Sequence, residues 1–386
     1  MIEFVLVLGV LAILNATVAK KNLKLFFVLS TVVLSTLAYH IVAFEASDLY
    51  RYMGTMDLCR EMGWEWIYKY YGPHNPLTYG FLYVVALFNN DAILPTLAVA
   101  ITYGLSFALL YKTSKKLQSS FSEITIAYWF LILNMNFMYV ATVIRFYIAF
   151  AIMAYFLYMD IVEKKNRPLC FFAYFILCYF HYAMLVFLLL RMVFVLSRKL
   201  KGFLSGISTI LIPVVLMVGY SFIDKYGGGI GSLFKSASDR LQGYESYEVF
   251  GIWQFLASIV RVVVFIVICV LAALVCNKMR DVEKQKHLNQ QEMRYRLDQI
   301  NHFNDFNTFC LYLSMTVITF ITNFQFVLRT PYFIQTMISV VVLLTLSGLK
   351  KYDKRLNGIL RVMLIVESAA HLVYLLIYVY NSLQFA

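Results

Sequence analysis

The sequence predicts an all-α fold: a polytopic integral-membrane bundle of about twelve transmembrane helices. Three observations lead there. Of 386 residues, 61% are hydrophobic and only 14% are charged, whereas a soluble domain carries about a quarter charged. Apolar runs of ~20 residues, the length that crosses a ~30 Å hydrocarbon core, recur from end to end. The basic residues gather in short loops: Lys20, Lys21 and Lys24; Lys112, Lys115 and Lys116; Lys164, Lys165 and Arg167; Arg198, Lys199 and Lys201; Lys278 to Arg296; Lys350 to Arg355. Short basic loops mark the cytoplasmic face, so the net charge of +12 points to membrane topology and not to nucleic acid. With six Pro and no Ser/Gly-rich linker, residues 1–386 read as a single transmembrane domain. The first apolar run lacks a basic n-region and a small-residue cleavage site, so a retained span is expected. With no Cys pair to join and no CxxC spacing, neither a disulfide nor zinc is expected.

Requiring every basic cluster to lie inside sets the order of the elements. Residues 2–19 run inward and 23–44 return outward. Residues 45–90 are expected as an outer loop dense in Trp and Tyr (Trp64, Trp66, Tyr68, Tyr70, Tyr71), whose rings suit the headgroup level. Within it, residues 76–89 are apolar but span only ~20 Å as a helix, so a re-entrant or interfacial outer helix is expected. Residues 91–111 cross inward, 124–139 outward and 145–161 inward. Residues 169–181 and 182–196 are each short of a full span; two tilted helices meeting near His181 satisfy the charge rule. Residues 202–223 lead to a second outer loop, 224–250, and 253–276 return. Residues 277–304 are charged and Gln-rich, a cytoplasmic loop with a solvated helix. Spans at 308–323, 333–349 and 359–380 complete the bundle, with both termini outside.

A few polar residues stand out against this background. A basic residue at a helix centre costs ~2.5–3.5 kcal/mol on insertion scales, so one that persists faces a cavity or a partner. Arg145 opens an inward span, and its ordinary reading is an arginine snorkelling to the headgroups. Against that reading, Arg51, Arg145, Arg240 and Arg329 all fall on the outer side, counter to the charge bias. The guanidinium fork binds phosphate bidentately, and a lipid diphosphate at the outer leaflet is such a ligand. Arg261 lies inside an apolar run and either faces the same cavity or pairs with a buried carboxylate. Arg191, nearer the inner end, reads as an ordinary snorkelling residue. His181 is either a hydrogen-bonded structural histidine or a general base for a sugar hydroxyl. Asp48 is either a helix N-cap or an acid/base group. Asp57, His74, Asp239 and Glu245 read as solvated loop residues. The triple-glycine stretch at 227–229 lacks the strand, the helix and the Lys-Ser/Thr of a nucleotide loop.

Four pieces in order carry a resemblance: Ser47-Asp48-Leu49-Tyr50-Arg51-Tyr52; Ile144-Arg145-Phe146-Tyr147-Ile148-Ala149-Phe150-Ala151; Phe180-His181-Tyr182-Ala183 after a basic turn; and Arg329-Thr330-Pro331-Tyr332-Phe333. Together they resemble the EpsG-like family within the Wzy-type polysaccharide polymerases, over residues 30 to 350. The resemblance implies a GT-C-like fold and a metal-independent glycosyltransferase. Such an enzyme joins undecaprenyl-diphosphate-linked repeat units, donor and acceptor both, at the outer face of a bacterial plasma membrane. It admits a chain-length regulator as a protein partner and implies no cofactor. It places Asp48 and Tyr52 at the family's outer-loop pair, Arg145 at its arginine, His181 at its Phe-His and Arg329 at its late arginine. Arg51 and Tyr332 stand inside the matched pieces. A Gln often follows the first arginine in the family, and Phe146 stands here.

On this reading Arg145 and Arg329, with Arg261, hold the diphosphate, and Arg51, Tyr52 and Tyr332 line the same substrate-binding site. His181 or Asp48 takes the proton of the attacking hydroxyl. A second reading is a transporter or flippase of lipid-linked oligosaccharides, which has no inverted repeat in the sequence to support it. A third is a ligase or single-sugar transferase using the same lipid donor.

Overall fold

The computed structural model describes residues 2–45, 47–70, 75–197, 252–286, 289–319, 324–379 and 384–385, and the statements that follow concern these. The architecture is helical. In chain order the helices are α1 (Ile2–Thr17), α2 (Leu23–Tyr39), α3 (Asp48–Tyr70), α4 (Pro76–Ala86), α5 (Ile93–Leu117), α6 (Phe121–Asn134), α7 (Phe137–Thr142), α8 (Ile144–Tyr158), α9 (Arg167–Phe180) and α10 (Met184–Ser197). They continue as α11 (Ile252–Gln285), α12 (Gln290–Thr319), α13 (Phe324–Tyr352) and α14 (Lys354–Tyr374). Helix α8 runs on into a π-turn, Met159–Glu163, and α14 into another, Leu375–Val379. Two-residue strands, Ile41–Val42 and Gln384–Phe385, pair antiparallel.

Five segments are long and apolar enough to cross a membrane: Ile93–Leu117, Ile144–Glu163, Phe255–Gln285, Ile334–Tyr352 and Lys354–Ile377. Helices α1, α2, α6, α9 and α10 are apolar but shorter. Aliphatic stripes at helical spacing lie exposed: Ile2, Leu6, Val10 and Ile13 on α1; Val260, Val263, Val267, Val270 and Leu274 on α11; Ile359, Val362 and Val366 on α14. Stripes this long suit hydrocarbon and not water.

The chain divides into two compact units. One comprises Met1–Tyr155, Tyr179–His181 and Val342–Ala386; the other comprises Phe156–Cys178 and Tyr182–Val341. In the first, α2 packs along α5 around an aromatic cluster. Phe27 stacks on Phe107 at 5.3 Å, Phe107 meets Tyr128 at 5.4 Å, and Tyr128 hydrogen-bonds Ser30. Helices α6 and α14 are joined by Asn134, whose amide donates to Ser368 at 2.9 Å. The start of α6 carries a capping box between Ser120 and Glu123, and the Glu123 carboxylate also receives Lys350 at 3.3 Å and Ser347 at 3.1 Å. In the second unit α11 and α12 lie side by side, and the buried Asn307 amide donates to the Cys269 carbonyl at 2.8 Å.

Four expectations change. Residues 48–70, read as an outer loop, are helical: Ser47 caps Tyr50 N at 3.2 Å, Asp48 stands in the first turn where the helix dipole favours it, and no proline interrupts. The helix kinks at Gly63, whose φ of 76° few other residues adopt. Residues 277–304, expected as a loop holding a solvated helix, are in their described part the helical end of α11 and start of α12, and largely exposed. The span expected to begin at residue 333 begins earlier: α13 starts at Phe324, so residues 324–332 lie within the helix. Arg191 does not snorkel: it is 4% exposed and its Nε donates to Asp160 Oδ2 at 2.7 Å. A buried carboxylate 31 residues earlier supplies the partner, because a lone charge inside such a unit is too costly to keep. Residues 198–251, with the loop 224–250, Arg240, Asp239 and Glu245, lie outside the described residues, as does His74.

Candidate functional site

Three segments of the first unit meet around Arg145. Helix α7 ends at Thr142, Val143 leaves helical geometry at φ −96° and ψ 53°, and α8 restarts at Ile144. The break puts Arg145 in the first turn of a new helix, where the dipole disfavours a cation. Helix formation therefore does not account for an arginine there. Its partner is Tyr52 on α3. The Arg145 Nε–H donates to Tyr52 Oη at 2.5 Å, and the guanidinium carbon lies 5.3 Å from the centroid of the same ring. Among the described residues this is the one hydrogen bond that Arg145 makes, so its two Nη groups keep their donors.

Tyr52 is buried. Burial pushes its phenol up to about 12; Asp48 reinforces the shift and Arg145 opposes it. Near neutrality Tyr52 is therefore a neutral acceptor for Arg145 and leaves the guanidinium charge uncancelled. Asp48, one turn earlier on α3, forms an ion pair with Arg51, whose side chain is 70% exposed. Asp48 and Tyr79, the latter on α4, also lie within electrostatic reach of Arg145.

The next residue, Phe146, connects Arg145 to His181. Its buried ring meets the His181 imidazole edge-on at 4.9 Å. A glutamine here would offer no such face, which gives the departure from the resembled pattern a physical role. His181 sits half-buried at the non-helical corner between α9 and α10, where two short helices meeting had been expected. That corner is fixed to α4: Thr78 Oγ1 donates to the Phe180 carbonyl at 2.6 Å, and Phe81 packs on Phe180 at 5.9 Å.

The first unit thus brings Asp48, Arg51, Tyr52, Arg145 and His181 into one neighbourhood. Arg261 and Tyr332 belong to the second unit and meet each other there. Both are buried, with the guanidinium carbon 4.5 Å from the ring centroid. The Arg329 side chain lies outside the described residues; its backbone stands in α13 three residues before Tyr332.

Several participants escaped the sequence reading. Tyr79 and Thr78 lie in an apolar stretch read only for its length. Phe146 was noted only for not being Gln. Asp160 is fully buried; Arg191 and Tyr174 reach its Oδ2 at 2.7 and 3.3 Å, and Arg167 lies 3.5 Å from Oδ1. Its lone negative charge near the end of an apolar run was the available signal. Comparison with protein-family models, curated proteins and solved structures finds no match to the chain.

Proposed function

We propose that this chain is a polysaccharide polymerase of a bacterial plasma membrane, a metal-independent glycosyltransferase of GT-C type with about twelve spans. It would join undecaprenyl-diphosphate-linked oligosaccharide units at the outer face. One observation carries the reading: Arg145 is held by a neutral phenol, makes no second hydrogen bond among the described residues, and stands one residue from the ring that contacts His181. The chemical need matches. The donor sugar leaves a diphosphate, so negative charge grows on the leaving oxygen as the glycosidic bond breaks. A pre-placed guanidinium stabilises that charge without reorganising. In the step, the acceptor hydroxyl oxygen bonds to the donor's anomeric carbon, and the bond to the diphosphate breaks with its electron pair staying on the diphosphate. The hydroxyl proton passes to the His181 imidazole. Asp48 is already engaged by Arg51, which favours His181 for this role. The leaving group brings its own activation, so the step calls on no further cofactor. Arg261, with Tyr332 beside it as support, and Arg329 belong to the second unit and stay candidate diphosphate ligands on the sequence alone.

The test replaces Arg145, His181 and Arg329 singly by Ala in cells making the surface polymer. Short or absent polymer at equal protein level is expected for each. Normal chain length in all three overturns the assignment.

A further inference from the structure

One arginine near the site has no part in the chemistry above. Arg60 lies on α3 eight residues after Tyr52, about 12 Å further along the helix. Its Nη1 donates to Asp57 Oδ1 at 2.7 Å on its own helix. Its Nε donates to the Ala86 carbonyl at 3.1 Å, at the end of α4. Its Nη2 pairs with Asp91, two residues before α5. All three arms of the fork are used, in three different segments. A lysine offers one point charge and cannot reproduce this pattern. The side chain is 24% exposed, so water competes for it only in part.

We propose that Arg60 is a positioning residue for the candidate site, holding α3, α4 and the start of α5 in one register so that Tyr52 meets Arg145. This rests on the reading of the site given above. Helix α4 has 11 residues, and its N-cap Asn75 makes no side-chain capping hydrogen bond. So short a helix is marginal without tertiary support. Two contacts hold its ends: Thr78 to the Phe180 carbonyl beside His181, and the Ala86 carbonyl to Arg60. Trp64 on Tyr83, at 5.5 Å, adds apolar contact that tolerates sliding. Directional hydrogen bonds do not. Helix α3 is continuous from Asp48 to the kink at Gly63. Fixing Arg60 therefore sets the angle at which Tyr52 is presented, as the second pin of a rod whose first pin is Arg145. Tyr79, on the α4 that Arg60 holds, also bears on Arg145.

The experiment has a conformational arm and an activity arm. A Thr78→Cys reporter replaces a fully buried side chain, and the native cysteines among the described residues are buried as well. Labelling by a membrane-impermeant maleimide is timed in the full-length protein carrying Arg60, Arg60→Met, Arg60→Lys or Asp91→Asn. Surface polymer is scored in the same backgrounds without the reporter and in Arg145→Ala. We expect Arg60→Met to speed labelling about tenfold by local opening. We expect it to lower polymer output by about a hundredfold at equal protein level, the scale of an ångström's misplacement. Asp91→Asn follows in the same direction, and Arg60→Lys recovers part of both. Unchanged labelling in Arg60→Met overturns the clamp. Faster labelling with normal polymer in Arg60→Met, while Arg145→Ala has lost it, overturns the positioning role. Faster labelling with normal polymer in both variants overturns the reaction assigned to the site and leaves the clamp standing.

Discussion

Arg145 and Tyr52 meet twice, through an Nε–H to Oη hydrogen bond of 2.5 Å and through the guanidinium lying 5.3 Å from the ring centroid. Arg191, buried in the second unit, is held instead by a carboxylate, Asp160. The difference is one of charge. Arg191 is neutralised in place, whereas Arg145 is anchored by a group that stays neutral. An arginine anchored this way retains its attraction for an anion, which is what the proposed diphosphate chemistry requires.

Tyr52→Phe keeps the ring and removes the acceptor. A hydrogen bond to a charged group contributes about 1.5–3 kcal/mol, so the initial rate of polymer formation is expected to fall about tenfold to a hundredfold. Tyr52→Ala, which also removes the ring, should fall further. Equal rates in wild type and Tyr52→Phe would show that the bond has no part in the reaction.

The raised Tyr52 phenol also has a consequence for stability. Its folded value of about 12 stands above its ordinary 10, so between these values the folded state binds more protons than the unfolded chain. Stability from this group is complete below pH 10 and is lost as pH rises toward 12. Thermal melts in detergent at pH 8 and pH 11 should show a larger alkaline loss for wild type than for Tyr52→Phe. Parallel losses would contradict the assignment.

The Asp160–Arg191 pair makes the opposite prediction, for the fold and not the chemistry. Removing one partner leaves a buried charge uncompensated, which costs about 3–5 kcal/mol, whereas replacing both with apolar residues is often neutral. Arg191→Leu and Asp160→Leu should each lower the melting temperature strongly, and the double variant should recover much of the loss. A double variant as unstable as the sum of the two would argue against a direct pair.

These contrasts mark what could be read from the residues alone. The break at His181 was legible because two apolar stretches, each too short to cross, were flanked by basic turns that had to share a side. Arg145 was legible because a cation in an apolar run is costly wherever it lies. Helix α3 was not: its buried residues Leu49, Tyr52, Met56 and Cys59 follow helical spacing but alternate with charges, and a search for long apolar runs passes over them. The partnership of Arg191 with Asp160 spans 31 positions, and no local pattern announces it. Arg60 falls in the stretch expected as an outer loop and no local pattern singles it out, because its partners are the Ala86 carbonyl and Asp91, which the turn between α4 and α5 brings near.

The central claim is that Arg145 holds the diphosphate of a lipid-linked glycan while a new glycosidic bond forms. The most direct measurement uses the purified full-length protein in liposomes, with the lipid-linked unit extracted from a strain lacking this chain. Free polyprenyl diphosphate and lengthened glycan are followed together. Wild type should release one diphosphate per bond formed, Arg145→Lys should retain a reduced rate, and Arg145→Ala should fall by about a hundredfold or more, as when a transition-state donor is removed. Release and chain growth at the wild-type rate from Arg145→Ala would contradict the account.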